Sequence, residues 1–246
     1  VLRVLGTILL IVLVTGLLFL CIFAYYVKNC LSTDLDVQLS DFTVSLSSSI
    51  LYEDSDGNWQ NLTNLSSTEN RVWIDYADIP KDMEHAAVAI EDKRFYKHKG
   101  VDWYRTTGAF INMFLSMKND FGGSTITQQV ARNFFLSSER TYTRKLYEIA
   151  MSFKIEKTLT KDQILEIYMN QIYLGQRAYG FEAAAKTYFG RPLAEISVGE
   201  AATIAGLPVA PSAYNPIVNP TRATMRRNYV LRRMYDLGRI DELTYQ

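Results

Sequence analysis

The sequence predicts a mainly α-helical protein with one N-terminal transmembrane helix and a small β-rich region. Residues from Val4 to Val27 form an uninterrupted run without a charged side chain. Asp56-Gly57 stands between two short runs of strand-forming residues, which is the signature of a β-hairpin turn. Beyond Pro80, apolar residues recur at helical spacing, and several Ser or Thr residues have Glu or Gln three positions later, the pattern of a helix-capping box.

The composition limits the classes of protein. The chain has 246 residues, of which 48% are hydrophobic, enough for one core of about 150–200 residues and an accessory segment. Its 26 basic and 26 acidic side chains cancel, so bulk binding to nucleic acid is not expected. Two cysteines do not make a disulfide framework, and two histidines without a His-Glu-x-x-His pattern predict no histidine-based metal site.

Residues 1–28 are predicted to form a membrane anchor. As a helix at about 1.5 Å per residue, the uncharged run would extend roughly 36 Å, enough to cross the hydrocarbon layer with some tilt. A secretory signal peptide is the alternative, but its apolar segment usually has about 7–15 residues and precedes a small-x-small cleavage site. Tyr25 and Tyr26, followed by Lys28, are instead typical of the membrane–water interface.

Residues 29–71 are predicted to be a stalk followed by the small β-rich region. Ile50 to Trp59 has the pattern strand, turn, strand, and Val72-Trp73-Ile74 predicts a further short strand. Pro80 ends this part of the chain. In the first helix that follows, Met83, Ala87 and Ile90 share one face, and Glu91 lies near the C-terminal end.

A later helix is predicted to begin just after Gly122-Gly123, where Thr125 and Gln128 form a capping box. Glycines before a helix start let the backbone come close to an anion at the N-terminus. One further helix is predicted to bury Leu146, Ile149, Ala150 and Phe153. Another, beginning at Thr160, is predicted to bury Ile164, Leu165, Tyr168, Met169 and Ile172. Two more helices are predicted to begin at Ser197 and at Asn219-Pro220.

Glu91 is the candidate general base. A sugar hydroxyl is too weak an acid to ionise alone, so its proton must leave as the new bond forms, and a carboxylate within hydrogen-bond reach suits that step. The alternative is that Glu91 only caps its helix or pairs with Lys93 or Arg94. Asp92 beside it could orient Glu91 or bind a metal.

Residues 132–161 carry seven basic and three acidic side chains in a chain that is neutral overall. The basic ones are Arg132, Arg140, Arg144, Lys145, Lys154, Lys157 and Lys161. A solvated helix face is the ordinary explanation of such a run. The predicted helix start at Thr125 is, however, a ready anion site, and the two features together suit a pyrophosphate.

Three other features have weaker chemical signals. A lone histidine such as His98 more often makes structural hydrogen bonds than binds a ligand. Phe95 and Tyr96 are expected to pack. The apolar stretch Phe110 to Leu115 is either core or a lipid-facing wedge.

Five stretches of the sequence form an ordered set of motifs. They are Glu91-Asp92-x-x-Phe95-x-x-His98-x-Gly100, Gly122 to Gln129, Arg144-Lys145-x-x-Glu148, Lys161 to Gly180, and Glu200 to Pro208 with Pro211 to Pro216. In this order they resemble the five motifs of the family 51 peptidoglycan glycosyltransferases. The resemblance covers roughly residues 72–246, and five ordered motifs are far more specific than any one.

The resemblance implies a lysozyme-like fold of two helical lobes with a cleft between them, formed by residues 72–216. It implies a donor that is a growing glycan chain on a lipid pyrophosphate, and lipid II as the acceptor. By the same carry-over, Glu91 takes the proton from the acceptor 4-hydroxyl, which attacks the donor anomeric carbon with inversion. Glu148 is the second catalytic residue.

The resemblance also implies the substrate-binding residues. Arg132, Arg144 and Lys145 lie with Glu148 by the phosphates, Ser124, Thr125, Gln129 and Asn133 line the donor side, and Asp92, Phe95, His98 and Gln128 complete the set. Position 132 is often Lys in the family, and Arg132 keeps the charge but not the ammonium geometry. No cofactor is required, although a divalent cation, Mg or Mn, is compatible with the pyrophosphate.

The implied surroundings are those of a cell-wall enzyme. The resemblance predicts a single-pass protein of the bacterial cytoplasmic membrane, with its catalytic domain on the outer side and Phe110 to Leu115 touching membrane lipid. Inhibitors of the moenomycin type and a cell-wall synthesis complex are the other expected partners. Residues 217–246 look like the helix that leads to the transpeptidase domain of class A penicillin-binding proteins. Since Ser-x-x-Lys and Lys-Thr-Gly are absent, the chain is predicted to be the glycosyltransferase part of such a bifunctional enzyme.

Two other functions compete with this interpretation. A lytic transglycosylase or muramidase would share the lysozyme-like architecture and cut glycan, but it needs a protonated acid at the glycosidic oxygen and has little use for clustered cations. A catalytically dead membrane scaffold would be favoured by loss of Glu91, which is present.

Overall fold

Residues 2–26, 49–53, 55, 57, 59–64, 69–108, 123–135 and 142–246 are described by the structure, a computed structural model. Most of them are helical, so the prediction of a mainly α-helical protein is confirmed. Over these residues we find no helix that is long and apolar enough to cross a membrane, and the predicted anchor stays a prediction. The stretch Phe110 to Leu115 lies outside the described residues.

Helices follow one another along most of the chain. They are α1 (Leu2–Tyr26), α2 (Lys81–Glu91), α3 (residues 103–108), α4 (Ile126–Phe135), α5 (Tyr142–Thr158), α6 (Lys161–Gln171), α7 (Phe181–Phe189), α8 (Val198–Ala205), α9 (Pro220–Asp236) and α10 (Glu242–Tyr245). Short 3-10 turns lie at Tyr76–Asp78, Phe95–Lys97 and Leu193–Glu195. The capping boxes predicted at Thr160 and Ser197 are present at the starts of α6 and α8, and Pro220 is the first residue of α9.

The predicted β-hairpin is confirmed. Strands β1 (Ser49–Glu53) and β2 (Trp59–Asn64) pair antiparallel, with Glu53 opposite Trp59 at the turn. A second pair is parallel and only two residues long, formed by β3 (Asn70–Arg71) and β4 (Ala178–Tyr179).

The strand predicted at Val72-Trp73-Ile74 is wrong, because these residues follow β3 without joining a sheet. The buried Asn170 side chain takes the place of a strand partner. Its Oδ1 accepts from the Ile74 N–H at 2.8 Å, and its Nδ2 donates to the Ile74 carbonyl at 2.8 Å. An amide side chain can satisfy both main-chain groups of one residue, so this segment needs no ladder.

The helical core surrounds α2. Ala86, Ala87 and Ala89 are buried, and their small side chains let α2 pack closely against α8 and α9. Val230 and Met234 of α9 are fully buried in the same core. Helix α9 therefore packs onto the helix that carries Glu91. The predicted domain boundaries stay predictions.

The buried side predicted for α5 is wrong. Glu148, Met151, Ser152 and Ile155 are buried, whereas Leu146, Ile149, Ala150 and Phe153 are partly exposed. The buried carboxylate of Glu148 explains why α5 turns a different face towards the core from the one predicted. Because Glu148 is paired with Lys145, its carboxylate can lie inside. An apolar pattern cannot anticipate a face that is organised around a paired charge.

Candidate active site

Glu91 is the last residue of α2, where the chain leaves the core. Its side chain is partly accessible to solvent. Enough protein surrounds the carboxyl group, however, that burial raises the pKa of Glu91. A carboxylate with a raised pKa is a stronger base, which is the property that a proton acceptor needs at neutral pH.

Helix α4 begins close to this carboxylate at the predicted capping box. Thr125 Oγ1 accepts from the Gln128 N–H at 3.1 Å, and Gln128 Oε1 accepts from the Thr125 N–H at 2.9 Å. The Thr125 hydroxyl also donates to the carbonyl of Gly100. Gly100 has a left-handed φ of 90°, and a Cβ there would lie 2.8 Å from the Ser152 carbonyl oxygen, so only glycine fits.

Asp92, which follows the last residue of α2, links that helix to the start of α4. Its carboxylate is fully buried, and Oδ2 accepts from the Ile126 N–H at 3.1 Å. The same oxygen lies 2.9 Å from His98 Nε2. A negative charge at a helix N-terminus is favourable because the first N–H groups of the helix have no partner within it.

Gln129, one turn into α4, is the side chain that this arrangement places against Glu91. Its Nε2 donates to Glu91 Oε2 at 2.8 Å. Gln129 thus holds one oxygen of the Glu91 carboxylate in place.

The larger effect of burial on the pKa of Glu91 is partly opposed by three arginines, whose positive charges lower it. Their effect decreases in the order Arg226, Arg105 and Arg132. Arg105 also donates to the backbone carbonyl of Glu91. The alternative of an ion pair with Arg94 is not found: Arg94 lies instead 3.4 Å from Asp102. Arg226 belongs to α9, and the sequence analysis did not select it.

The second carboxylate, Glu148, lies on α5 with only 1% of its side chain exposed. Lys145 Nζ donates to Glu148 Oε1 and also to Ser124 Oγ, the latter at 2.8 Å. The Lys145 side chain is 42% exposed. A buried carboxylate and a hydroxyl therefore hold a cation whose outer side is open to an anionic ligand.

Both carboxylates connect to the start of α4. Ser124, just before the helix, contacts the Lys145–Glu148 pair, and Gln129 contacts Glu91. The two predicted catalytic residues are thus linked through side chains only five positions apart in the chain. This arrangement suits removal of a proton beside a bound anion.

The remaining predicted site residues divide into buried and accessible ones. Asp92 and Phe95 are fully buried, and the His98 side chain is 5% exposed, so these three support the site from within. The accessible ones are Arg132 and Arg144, which are partly exposed, and Asn133, which is exposed. Gly122 and Arg140 lie outside the described residues.

Tyr168 is a further residue that the sequence analysis assigned only to the core. It is buried in α6, and its hydroxyl has no hydrogen-bond partner in the described residues. Burial raises the pKa of Tyr168 well above its usual value, and the charge of Glu91 adds to the effect. The sequence signal was a hydroxyl on an otherwise apolar helix face.

No group of three or more His, Cys, Asp or Glu side chains that could hold a metal occurs among the described residues. That no cofactor is required, and that a divalent cation is compatible with the pyrophosphate, both stay predictions.

The helical domain thus brings a base-like carboxylate close to a cation that is paired with a second carboxylate. A family model described as Transglycosylase matches residues 58–235. The chain therefore belongs to this transglycosylase family, the family 51 glycosyltransferases, as its motifs predict.

Two related proteins agree with this family. Penicillin-binding protein 1A of Pseudomonas aeruginosa is 53% identical over 176 residues, which cover 72% of this chain and 21% of the relative. A provisionally named transglycosylase of Cupriavidus necator is 54% identical over 173 residues, 70% of this chain and 74% of the relative. A crystal structure of penicillin-binding protein 1A from Haemophilus influenzae aligns with a TM-score of 0.45 and 27% identity, over 82% of this chain and 20% of that one. The chain thus spans about a fifth of the length of the penicillin-binding protein 1A relatives that it matches.

Proposed function

We propose that this chain is a peptidoglycan glycosyltransferase that polymerises lipid II into glycan strands for the cell wall. The observation that carries the proposal is the pair of carboxylates joined through the start of α4: Glu91 against Gln129, and Glu148 with Lys145 against Ser124. Membership of the transglycosylase family supports it.

In the proposed reaction, Glu91 accepts the proton of the acceptor 4-hydroxyl as that oxygen attacks the donor anomeric carbon. The bond from the anomeric carbon to the pyrophosphate oxygen breaks on the opposite face, so the configuration inverts. Gln129 fixes one carboxylate oxygen, and the raised pKa of Glu91 makes the other a better acceptor. Lys145, with Arg132 and Arg144, stabilises the negative charge that develops on the leaving pyrophosphate.

A lytic transglycosylase or muramidase is the second candidate, because a raised pKa also suits an acid that protonates a glycosidic oxygen. The Lys145–Ser124–Glu148 group favours the polymerase, since a cation with an open side serves an anionic leaving group, which glycan cleavage lacks. A dead scaffold would not need Glu91 to be held by Gln129.

The proposal includes the setting that the resemblance implies. The catalytic domain has the two-lobed, lysozyme-like arrangement and lies outside the bacterial cytoplasmic membrane, to which residues 1–28 attach it. Leu9 and Ile11 lie on nearly opposite faces of α1 and are 62% and 60% exposed, and a helix that is apolar on all sides is usually buried in protein or membrane. Moenomycin-type inhibitors, a cell-wall synthesis complex and an optional Mg or Mn ion at the pyrophosphate belong to the same proposal.

The test is incubation of the purified chain in detergent with fluorescent lipid II, followed by gel analysis. We expect polymer from the wild type and a rate about 10²–10⁴-fold lower from Glu91→Gln, since the amide keeps the shape but cannot accept the proton. Glu195→Gln, an exposed carboxylate changed in the same way, is the matched control. Cleavage of purified glycan strands without polymer formation would instead establish the lytic function.

A further inference from the structure

Glu156 is a buried acid that the proposed reaction does not use. It lies near the C-terminal end of α5, and only 7% of its side chain is exposed. A buried carboxylate is costly unless charged and hydrogen-bonding partners compensate it. Two such partners meet one oxygen of Glu156. The Thr127 hydroxyl donates to Oε1 at 2.6 Å, and Lys161 Nζ donates to the same atom at 2.7 Å. Because Thr127 belongs to α4 and Lys161 to α6, the carboxylate joins three helices.

Lys161, the counter-ion, is fixed from a second side as well. Its Nζ lies 4.3 Å from the centre of the Phe95 ring, and only 22% of its side chain is exposed. A cation over the face of an aromatic ring is attracted to that ring, and more strongly where water is excluded. Phe95 is fully buried in the 3-10 turn that follows α2. The ion pair is thus anchored to the segment that carries Glu91.

Thr127 connects this ion pair to the start of α4. It is completely buried, and it directly follows Ile126, whose N–H bonds to Asp92. Gln129 comes two positions later, which corresponds to a rotation of about 200° in an α-helix. Thr127 and Gln129 therefore face nearly opposite sides of α4. Glu156 holds the helix on one side, while Gln129 reaches Glu91 on the other.

The rotation of α4 about its own axis decides whether Gln129 reaches Glu91. Ile126, Val130 and Ala131 bury apolar surface where α4 packs on its neighbours. Apolar burial is non-directional, so it favours contact without fixing one rotation of the helix. A hydrogen bond to a carboxylate has a defined length and direction. The bond from Thr127 to Glu156 supplies the direction that apolar packing lacks.

We propose that Glu156 is a positioning residue for the reaction: acting through Thr127, with Lys161 as counter-ion, it fixes the rotation of α4 that keeps Gln129 hydrogen-bonded to Glu91. The consequence for catalysis rests on the proposed function, in which Glu91 is the base. The contact itself is measurable without substrate. Because the hydrogen bond from Gln129 lowers the pKa of Glu91 against the effect of burial, loss of that bond should raise the pKa of Glu91 further.

Thr127→Val is the most direct test, since valine has nearly the shape of threonine but lacks the hydroxyl, and the Glu156–Lys161 pair remains. The readout is the carboxyl ¹³C signal of Glu91 in the full chain in detergent, identified by its absence in Glu91→Gln. We expect this signal to titrate about 0.5–1 pH unit higher in Thr127→Val than in the wild type. Thr127→Ser restores the hydroxyl and should titrate like the wild type. Equal titration of Thr127→Val and wild type would refute the proposal.

Polymerisation of lipid II gives the consequence for the reaction. Thr127→Val and Glu156→Gln should each lower kcat by about tenfold with KM within about twofold of wild type. The acid limb of kcat/KM should move to higher pH, because a base with a higher pKa is protonated up to a higher pH. Loss of folded protein alone would lower the rate equally at every pH, and that result would overturn the proposal. A wild type that makes no polymer would refute the proposed function, while the titration of Glu91 would still decide the role of Glu156.

Glu182→Gln is the matched control for Glu156→Gln. Glu182 lies on α7 with 9% of its side chain exposed, pairs with Lys186 at 2.9 Å and accepts from the Leu193 N–H at 2.8 Å. The change removes a comparably buried paired charge whose bonds do not involve α4. It should leave the titration of Glu91 and the acid limb unmoved. An equal shift in Glu182→Gln and Glu156→Gln would mean general loosening of the domain and would contradict the proposal.

A background that lacks the Gln129 amide tests the route of the effect. In Gln129→Leu the bond through which Thr127 is proposed to act is already absent. Adding Thr127→Val should therefore move the titration of Glu91 no further. A further shift as large as that in the wild-type background would show that Thr127 affects Glu91 by another route, and the positioning role would be wrong.

Discussion

Replacing Asp92 by asparagine tests whether a buried charge organises the site. Asp92 Oδ2 accepts from the Ile126 N–H and lies within hydrogen-bond distance of His98 Nε2. Asparagine has nearly the same shape and can still accept with its single carbonyl oxygen. The change therefore removes the charge while leaving the geometry available.

The expected magnitude follows from these two bonds. Hydrogen bonds to a charged group contribute about 1.5–3 kcal/mol each, and neutral ones contribute about 0.5–1.5 kcal/mol. Burying a carboxylate opposes part of that difference. We therefore expect Asp92→Asn to lower the free energy of unfolding by about 1–2 kcal/mol. Asp92→Ala should lower it by about 2–5 kcal/mol, because it leaves the Ile126 N–H and the His98 ring nitrogen without a partner.

The effect on activity should exceed the effect on folding. Because Asp92 fixes the start of α4, and Gln129 on that helix holds Glu91, the loss of the charge should misplace the base. Urea unfolding followed by circular dichroism gives the stability, and lipid II polymerisation per folded molecule gives the activity. Asn170→Ala is the control, since it removes a buried side chain with three hydrogen bonds to main-chain groups on α6 and before α2.

Two results would contradict this reasoning. An unchanged urea midpoint for Asp92→Asn would mean that the charge does not stabilise the junction of α2 and α4. Equal activity per folded molecule in Asp92→Asn and Asn170→Ala would mean that Asp92 affects stability without positioning Glu91.

Three further outcomes are expected. Arg132→Gln should raise the pKa of Glu91 further by removing a positive charge, so the acid limb of the kcat/KM profile should move to higher pH; an unmoved limb would separate Arg132 from the base. Lys145→Ala should weaken use of the donor and binding of moenomycin-type inhibitors by about tenfold or more. The exposed Lys93→Ala should have no such effect. Equal effects of the two changes would mean that the basic side chains form only a solvated helix face. Deletion of residues 1–28 should leave the circular dichroism of the helical domain intact and reduce co-sedimentation with lipid vesicles; full retention on vesicles would mean that another surface meets the membrane.

Local signals predicted much of the helical framework. Thr125, Thr160 and Ser197 each begin a helix through bonds with the residue three positions later, and those bonds are local in sequence. The hairpin at Asp56-Gly57 was predicted for the same reason. A pattern contained within a few residues predicts the local structure well because that structure does not depend on tertiary contacts.

Contacts between distant residues explain what the sequence could not predict. Asn170 meets Ile74 across 96 positions and replaces a strand partner, and Glu148 is buried because Lys145 and Ser124 meet it. Arg226 affects the pKa of Glu91 only because α9 packs on α2. In each case the deciding partner lies on another element, so neither periodicity nor composition could show it.

The acid stability of α2 gives the last prediction. Glu84, whose side chain is 9% exposed, accepts from Lys81 Nζ at 2.7 Å, from the Tyr96 hydroxyl at 2.7 Å and from the Tyr76 hydroxyl at 3.1 Å. Burial raises the pKa of Glu84, but these donors together outweigh it, and the net pKa lies below its ordinary 4.5. A carboxyl group with a lowered pKa in the folded state adds stability above its unfolded pKa and loses it as the pH falls through the folded one.

Glu84→Gln should therefore reduce the free energy of unfolding by about 2 kcal/mol at pH 7, and the difference from wild type should shrink once the pH falls below the ordinary 4.5. Urea unfolding at a series of pH values measures it, with the exposed Glu195→Gln as the control. A difference that stays constant across the series would mean that packing, and not the charge, accounts for the loss. Because Glu84 lies in the first turns of the helix that carries Glu91, a charge-dependent loss would also predict that acid loosens the start of α2.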